Sequence, residues 1–404
     1  MNENKMSVGA FFQKYSMVIA LVVVVAFFAI VSDGGSLSPG TINSLINQNA
    51  YVFVLAAGML MCILTGGNID LSVGSVVCFT GAVGCCLMTS GTGIFSSWPW
   101  PFAVLAMLAI GLAVGLFQGF WISKFRVPAF IATLAGMYAF RGLSNVVLSG
   151  YQVPIENETY LFLFGGGESC YIPDFVRQIL NKPAQPGDVN LTCIAIGLLV
   201  TLVFVALKIR KILIQKKLNI QQSILGQAVT TVLISAVTIW LTWTLANYSG
   251  FPTVLIWIAL VLGICQYITT KTAIGRHLYA VGGNEKAAAL SGIKTRNVYW
   301  FAYAGIGLLA GLAGILTAAR AKGIDPTYGE GYEMDAIASC FIGGASAYGG
   351  IGKVSGMIIG AVLMGFINQG MNIVKVPINY QSVVKGAVLL IAVVFDVMSK
   401  RQKR

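Results

Sequence analysis

The chain carries very little charge for its length. Only 10% of its 404 residues are Asp, Glu, Lys or Arg, whereas 57% are hydrophobic. A water-soluble protein carries roughly a quarter charged residues, so this sequence has too little polar surface to cover a soluble globule. The composition excludes a soluble domain and predicts a protein whose surface is mostly in contact with lipid.

Residue patterns for catalysis and metal binding are also scarce. The single histidine, His277, cannot build a metal site or a proton relay alone. The eight cysteines show neither metal-ligand spacing nor a secreted disulfide framework. The nearest approach to a phosphate-binding G-x-x-x-x-G-K-[ST] loop ends at Lys353 and is followed by Val354. We therefore expect no enzyme activity, no cofactor and no bound metal, and we do not expect this chain to bind or hydrolyse ATP by itself.

Carboxylates at the middle of an apolar run are missing as well. The ionisable residues within such runs are Asp70, Arg141, Lys385 and Asp396, and all lie off centre. A proton-coupled carrier would keep buried carboxylates there as a relay, so this mechanism is disfavoured, whereas sodium coupling or a passive pore stays open. Arg141 needs a partner or water at its depth, which indicates a role in a pathway or in packing.

Long apolar runs dominate what is present. A bilayer core about 30 Å thick needs about 20 apolar helical residues to cross it. Eleven runs meet this need: 16–32, 43–65, 70–89, 100–122, 127–148, 190–208, 227–247, 251–270, 297–319, 354–373 and 380–398. A shorter glycine-rich run at 335–349 either crosses or forms a re-entrant half-helix. We predict an all-α, polytopic integral membrane protein of about 10–12 transmembrane helices, with residues 1–404 forming a single transmembrane domain.

The distribution of basic residues predicts the orientation. With both termini in the cytoplasm and 335–349 counted as a crossing, 19 basic residues lie inside and five lie outside. Positive charge accumulates on the cytoplasmic side of membrane proteins, so the net charge of +12 reflects anchoring beside anionic lipid and not nucleic-acid binding. This topology places a polar, loop-like outer loop at 149–189. It places a basic inner segment at 208–226, which fits either an orientation anchor or a surface-lying helix, and a cytoplasmic loop at 271–296.

Three segments between the apolar runs have distinctive sequences. The first, residues 65–75, has glycines that permit a break between two runs, and Asn68, Asp70 and Ser72 can cap the helix that follows. It fits a capped helix boundary or a broken helix beside a pathway.

The second distinctive segment spans residues 273–293. Asn284 suits an N-cap, Glu285 the first turn, and Gly292 the position just after a helix, which predicts a helix of about two turns at 285–291. Such a helix is too short to be stable alone in water, so the protein body or a partner must hold it. This feature could transmit force from a soluble subunit.

The third segment, residues 329–350, is an acidic turn followed by a run of small residues, with Asp335 predicted as the N-cap. Its four glycines at 343, 344, 349 and 350 allow close packing or a break. Comparison of residues 70–75 with 335–339 suggests a weak internal repeat. Because the two lie on opposite sides in the predicted topology, an inverted repeat is a hypothesis.

Together these segments, at 66–75, 275–293 and 329–344, resemble the ribose/xylose/galactose permease family of bacterial ABC importers, and residues 126–142 also fit. The resemblance covers nearly the whole chain except about 150–226. Asn68 is an insertion relative to the commonest family pattern. The extra length resembles the branch that handles xylose or several monosaccharides.

The resemblance implies a permease subunit in the bacterial plasma (inner) membrane that moves a monosaccharide into the cytoplasm. Its implied partners are a second permease copy, a cytoplasmic ABC ATPase and an extracytoplasmic sugar-binding protein. The implied ATPase-coupling residues are Gly275, Arg276, Gly282, Gly283, Asn284, Glu285, Ala288, Leu290 and Gly292. Candidate translocation-pathway residues are Asn68, Asp70, Ser72, Tyr138, Phe140, Arg141, Glu333 and Asp335. The alternative is a secondary sugar carrier or channel that works without an ATPase.

Overall fold

The computed structural model describes residues 8–89, 97–166, 170–181, 188–218 and 224–401, and almost all of its regular structure is helical. The first half contains α1 Val8–Val31, the 3₁₀ turn η1 Gly35–Leu37, α2 Pro39–Gln48, α3 Ala50–Leu64, α4 Val73–Met88, α5 Trp100–Phe125, α6 Ala129–Leu148, β1 Val153–Pro154, α7 Glu158–Phe164 and α8 Phe175–Ile179. The second half contains α9 Leu191–Lys217, α10 Ile224–Ala246, α11 Val254–Lys271, α12 Ala273–Gly283, α13 Glu285–Leu290, α14 Thr295–Arg320, β2 Gly323–Ile324, α15 Tyr332–Ile342, α16 Val354–Ile373 and α17 Ile378–Arg401. The prediction of an all-α fold is confirmed.

Among the described residues, seven helices are long and apolar enough to cross a membrane, namely α5, α6, α9, α10, α11, α14 and α16. Helices α2 and α3 together form an eighth span that is bent by 43° at Asn49. Shorter apolar helices lie within α1, α4 and α17. These segments coincide with the eleven predicted runs, so the chain is a multi-pass membrane protein.

The centre of the molecule is formed by α3 and α14. Every residue of α3 is buried. Helix α14 packs on α5 so closely that a Cβ atom at Gly111 would lie 2.4 Å from the carbonyl oxygen of Gly307, and one at Gly115 would lie 2.2 Å from that of Tyr303. Small residues let membrane helices approach in this way. By contrast, α6, α9 and α10 are largely unburied and present apolar side chains to lipid.

The glycine-rich run 335–349 travels the length of α3. The hydroxyl of Tyr51, near the start of α3, donates to Asp335 (2.6 Å), Cys340 Sγ donates to the carbonyl of Ala56 (3.4 Å), and the Gly350 N–H donates to the carbonyl of Leu64 at the end of α3 (3.2 Å). Helix α15 ends at Ile342, so its helical part accounts for only about 12 Å of this path at 1.5 Å per residue. The remainder is non-helical chain packed inside the protein, where irregular backbone is tolerated. The run is thus a half-helix with an irregular continuation.

The segment predicted as a polar loop at 149–189 is substantially structured, so its loop-like description was wrong. Strand β1 pairs antiparallel with β2, with Val153 opposite Ile324. Helix α7 packs down on the bundle because Tyr160 is fully buried and its hydroxyl donates to the carbonyl of Ile315 (2.9 Å). The Trp257 indole N–H donates to the carbonyl of Leu163 (2.9 Å). The aromatic side chains in this segment supply a buried face that its overall polarity conceals.

Asp174 fixes α8 against the start of α9. Its carboxylate accepts from the N–H groups of Leu191 (2.9 Å) and Thr192 (3.0 Å), the Thr192 hydroxyl (2.9 Å) and the Arg177 guanidinium (3.2 Å). Burial alone would raise the pKa of Asp174, but the hydrogen bonds outweigh it and lower the pKa to about 2. This carboxylate therefore stays ionised and keeps α8 in place.

The basic segment predicted at 208–226 is, through Lys217, the last part of the long helix α9. It is not a separate helix lying on the membrane surface. Lys216 and Lys217 occupy the final turn, where positive charge is favourable beside the helix C-terminus. Residues 219–223 of this prediction lie outside the described residues. The described part fits the interpretation as an orientation anchor.

Candidate coupling and translocation sites

The predicted two-turn helix is present as α13, and its predicted caps are confirmed. Asn284 has an extended backbone, and its side-chain oxygen accepts from the N–H of Ala287 (3.0 Å). Gly292 follows the helix with φ of 85°, a left-handed conformation that favours glycine. Because both signals are local, the sequence contains all the information needed to place this helix.

Helix α13 is attached to the body on one side and free on the other. Glu285 forms an ion pair with Arg126 at the end of α5 and accepts from the Tyr299 hydroxyl (3.1 Å). Burial alone would raise the pKa of Glu285, but the hydrogen bonds and charge of Arg126 outweigh it and lower the pKa. Ala288 is buried against the body, whereas Leu290 is 90% exposed. Leu290 is thus an exposed apolar side chain on a helix whose first residue is held to the protein body by an ion pair.

Helix α12 sits against the end of α3. A Cβ atom at Gly282 would lie 1.8 Å from the carbonyl oxygen of Leu64 and 2.5 Å from the nitrogen of Gly350. We refer to Leu64, Gly282 and Gly350 as the inner junction. The Tyr279 hydroxyl donates to the carbonyl of Gly352 (2.8 Å), which adds a second attachment. A Cβ atom at Gly283 would meet open space, so only one of the two adjacent glycines is required for packing.

The remaining coupling candidates differ in exposure. Gly275 is buried where α11 turns into α12, and a Cβ atom there would lie 2.1 Å from the carbonyl oxygen of Ile268. The Thr272 hydroxyl caps α12 by accepting from the Gly275 N–H (3.1 Å). Arg276 is exposed. Gly275, Gly282 and Ala288 are therefore packed against the body and position the two helices, whereas Arg276 and Leu290 are exposed.

The first motif forms the predicted break between α3 and α4. Gly66 and Gly67 have φ of 127° and 76°. The predicted side-chain cap of α4 is not observed, because the N-cap residue Ser72 makes no capping hydrogen bond. Instead, Asp70 accepts from the N–H (2.8 Å) and hydroxyl (2.7 Å) of Ser72, whereas Asn68 bonds locally to Thr65. Asp70 and Ser72 belong to a buried polar cluster. These two members were identified from the sequence, whereas the third was not.

The group that sequence reasoning missed is Gln118 of α5. Its side-chain N–H donates to the Ser72 hydroxyl (2.7 Å), and the amide is buried. A polar amide inside an otherwise apolar run was the available signal. Gln118 thus joins Asp70 and Ser72 in one cluster at the break.

Arg141 has a packing role. Its guanidinium donates to the carbonyls of Pro326 (2.9 Å) and Tyr328 (2.7 Å), so it anchors the chain that leads into α15. Tyr138, on the same helix, is 71% exposed and joins none of these clusters. Phe140 packs beside Phe79 with ring centroids 5.7 Å apart.

Close backbone packing joins the first and third motifs. A Cβ atom at Gly74 would lie 2.1 Å from the carbonyl oxygen of Gly329 and 2.5 Å from a carboxylate oxygen of Glu333. At the other end of the break, one at Gly67 would lie 1.9 Å from the carbonyl oxygen of Ala347. Glu333 therefore lies beside the first motif, whereas Asp335, two residues later, has its contacts elsewhere.

The prediction that Asp335 caps a helix was wrong. Helix α15 begins earlier, at Tyr332, because Gly331 turns the chain with φ of 76°. Asp335 lies inside the helix, fully buried, and its Oδ2 atom accepts from Tyr51 (2.6 Å), Asn368 (3.2 Å) and Lys385 (3.0 Å). Its partners come from α3, α16 and α17, which no local pattern reveals. Asp70 precedes α4, so the two aspartates of the suggested repeat hold different positions, and the inverted repeat stays a hypothesis.

Comparisons with known proteins confirm the resemblance to sugar permeases. The chain is 34% identical to the xylose transport system permease protein XylH of Escherichia coli strain K12, over 96% of this chain and 93% of that relative. It is 34% identical to XylH of Haemophilus influenzae over 96% and 97%, and 33% identical to the ribose import permease protein RbsC of E. coli strain K12 over 93% and 92%. No solved structure matches.

A family model described as the permease component of branched-chain amino acid transport systems matches residues 41–393. This match runs through 150–226, the stretch that the motifs did not cover. The chain therefore belongs to this family of transport-system permeases.

Proposed function

We propose that this chain is the membrane-spanning subunit of an ATP-driven importer that carries xylose or a related monosaccharide into the cytoplasm. The names of its relatives, xylose and ribose permeases aligned over nearly their full lengths, support the substrate class. Residues 1–404 act as one permease domain in the bacterial plasma membrane, with both termini in the cytoplasm. Two copies form the importer, and a sugar-binding protein delivers substrate from outside.

The observation that carries this proposal is the attachment of α13. A helix of six residues is unstable alone, yet here its charged base is held by Arg126 and Tyr299 while Leu290 is left exposed. Beside it, residues Ile293–Asn297 and Trp300 line an open depression of about 460 Å³. An exposed apolar residue at the edge of a depression suits a protein partner. That partner is an ABC ATPase that binds and hydrolyses ATP outside this chain.

The inner junction provides the route from the ATPase to the transmembrane helices. Displacement of α13 moves α12, to which it is joined directly, and Gly282 of α12 contacts backbone atoms of Leu64 and Gly350. The ends of α3 and of the chain that follows α15 therefore move with α12. Alternating access follows when these segments open the path on one side and close it on the other. The cluster of Asp70, Ser72 and Gln118 borders this path.

The central experiment is reconstitution of sugar uptake. Proteoliposomes are prepared with the chain alone, and with the chain plus the ABC ATPase and sugar-binding protein encoded by the same genome. Labelled xylose should enter only when all three proteins and ATP are present. Uptake by the chain alone would instead establish a secondary carrier or channel.

A second experiment tests the docking surface. Leu290→Asp should abolish co-purification of the ATPase, because a charge replaces the exposed apolar contact. The control is Tyr151→Asp, which alters a residue 77% exposed in the segment predicted to lie outside. Retention of the ATPase by Leu290→Asp would contradict the assignment of α13.

A further inference from the structure

A polar cleft opens beside Asp335, at the bend between α2 and α3. Its volume is about 150 Å³. It lies where α14 ends and α16 turns into α17, which is the side predicted to face outward. We call it the bend cleft, and it is lined by Gln48, Asn49, Tyr51, Arg320, Tyr332, Asn368, Asn372, Gln381 and Lys385.

The lining of the bend cleft is chemically unlike the rest of this apolar protein. Five of the nine side chains are amides, and each amide can both donate and accept hydrogen bonds. Tyr51 and Tyr332 stack with ring centroids 3.5 Å apart, and Tyr332 is the more exposed of the two. Sugar hydroxyls also donate and accept, and the C–H face of a sugar ring can rest on an aromatic ring. The set of groups matches a small polyol.

One unsatisfied oxygen atom in the lining indicates which ligand would fit. Asn368 lines the cleft, and its Oδ1 atom accepts no hydrogen bond from the described residues, although buried acceptors are normally satisfied. A ligand that donates would satisfy it. A carboxylate or phosphate oxygen offers no donor to Asn368 Oδ1, and the charge of Lys385 is already paired with Asp335. Lys385 and Arg320 would repel a cation. A neutral ligand with several hydroxyl groups meets all of these conditions.

We propose that the bend cleft binds a neutral monosaccharide on the outer side of the permease, where sugar arrives before translocation. This inference rests on the proposed function and adds the location and contacts of the substrate. Asn368 accepts from a sugar hydroxyl, Lys385 and Arg320 donate to others, and Asp335 holds Lys385 in place from behind the lining. A broken helix beside a substrate site is typical of membrane transporters. The volume is well below that of a drug-sized pocket, consistent with a single small sugar.

Contacts connect the bend cleft with the rest of the proposed mechanism. Asp335 lies on α15, and the chain that follows α15 reaches Gly350 at the inner junction. Asn49 and Tyr51 flank the bend that leads into α3, which ends at Leu64 of the same junction. Both walls of the cleft therefore extend to the place where α12 makes its contacts. Sugar bound in the cleft would be released as these two segments shift.

The first test measures ligand protection of an engineered thiol. Asn372→Cys places a thiol in the cleft lining, and a polar maleimide reports its accessibility in right-side-out vesicles. All eight native cysteines are buried or half-buried, so the unmodified chain serves as the background. Saturating D-xylose or D-ribose should slow labelling severalfold, whereas D-xylonate should not. Lys375→Cys, at the nearby exposed turn, should label at the same rate with or without sugar.

The second test separates recognition from a purely structural ion pair. If Lys385 only neutralises Asp335, the double variant Asp335→Asn with Lys385→Met should have the apparent KM for uptake of the unmodified chain. If Lys385 binds sugar, the KM of this double variant should be at least tenfold higher while ATP-dependent coupling persists. Asn368→Leu keeps the ion pair, removes one unsatisfied acceptor, and should also raise KM about tenfold. Lys375→Met is the matched charge control.

The outcomes also distinguish this inference from the proposed function. Absence of protection at Asn372→Cys, or equal protection by D-xylonate, overturns the bend cleft as a sugar site even if the assembled importer transports xylose. Normal KM in the double variant and in Asn368→Leu overturns it too. Failure of the assembled importer to transport any sugar overturns the proposed function itself.

Discussion

At the scale of single residues, adjacent glycines in this protein meet opposite demands. Gly282 has the carbonyl oxygen of Leu64 where a Cβ atom would be, whereas Gly283 faces open space. The sequence shows the pair Gly282-Gly283 without distinguishing its members. Only the packing of α12 on the end of α3 reveals which of them is required.

Gly282→Ala should therefore abolish sugar import, and Gly283→Ala should leave it close to normal. A Cβ atom 1.8 Å from a backbone oxygen forces α12 away from the inner junction, because backbone atoms cannot move aside as a flexible side chain can. Uptake is measured in vesicles together with the amount of protein in the membrane. Equal effects of the two substitutions would contradict this account.

The ion pair between Glu285 and Arg126 is partly exposed, with side chains 34% and 60% accessible. Pairs of this kind contribute about 0.2–1 kcal/mol, so Glu285→Gln should change the free energy of unfolding by less than about 1 kcal/mol. If Glu285→Gln strongly reduces sugar import although stability changes this little, the loss reflects a displaced α13 and not unfolding. Thermal unfolding and uptake of the same variant measure the two effects, and Lys286→Gln is a neighbouring control.

The lowered pKa of the Glu285 carboxylate also predicts how ATPase co-purification responds to pH. Because the folded-state pKa of Glu285 is lowered, its contribution to stability is present above the unfolded-state pKa and is lost as pH falls through the lower folded value. Between pH 8 and pH 6 the ion pair should remain intact. ATPase co-purification across this range should be constant, and a decline between pH 8 and 6 that Glu285→Gln abolishes would refute the assignment.

At the scale of elements, the segment after α6 depends on one carboxylate. Asp174 accepts from five groups, and its pKa is lowered to about 2 from an ordinary value of 3.8. Its stabilising contribution is thus complete above about pH 4 and disappears as pH falls towards 2. Asp174→Ala should speed hydrogen exchange of α8 and the first turn of α9 at pH 7. Glu156→Ala, an exposed acid in the same segment, should not, and equal exchange in both variants would contradict the role of Asp174.

Local signals predicted elements well, whereas tertiary contacts did not follow from the sequence. The caps at Asn284 and Gly292 and the break at Gly66 and Gly67 use neighbouring residues, so they could be predicted. The partners of Asp335 come from α3, α16 and α17, which no neighbouring residue indicates. Helix α7 was missed for a similar reason, because Tyr160 bonds to α14 and Phe164 packs on Trp100 of α5 and Trp257 of α11.

At the scale of the whole molecule, the charge distribution predicts which side each surface faces. A thiol introduced as Leu290→Cys should react with an impermeant maleimide only after cells are permeabilised, because α13 belongs to a cytoplasmic loop. Tyr151→Cys should react in intact cells. The native chain, whose cysteines are buried or half-buried, gives the background. Labelling of Leu290→Cys in intact cells would reverse the topology and exclude docking of a cytoplasmic ATPase.

The bend cleft shows how a membrane protein with so few polar residues can use them selectively. Five amides and an aspartate–lysine pair are gathered at one bend, while helices such as α9 and α10 are left to lipid. The polar residues at the bend cleft are therefore the positions at which sugar specificity can be altered. Substitutions at the cleft can be combined with an unchanged α12–α13 pair, since no residue belongs to both.

The inner junction has a mechanical consequence. Its three segments touch through main-chain atoms, which cannot move aside by a change of side-chain rotamer. Even a small shift of α12 would therefore displace the main chain at both Leu64 and Gly350, without a prior rearrangement of side chains. Conformational changes of the ATPase and of the sugar path would thus occur together. Uncoupling them would require the helices to separate.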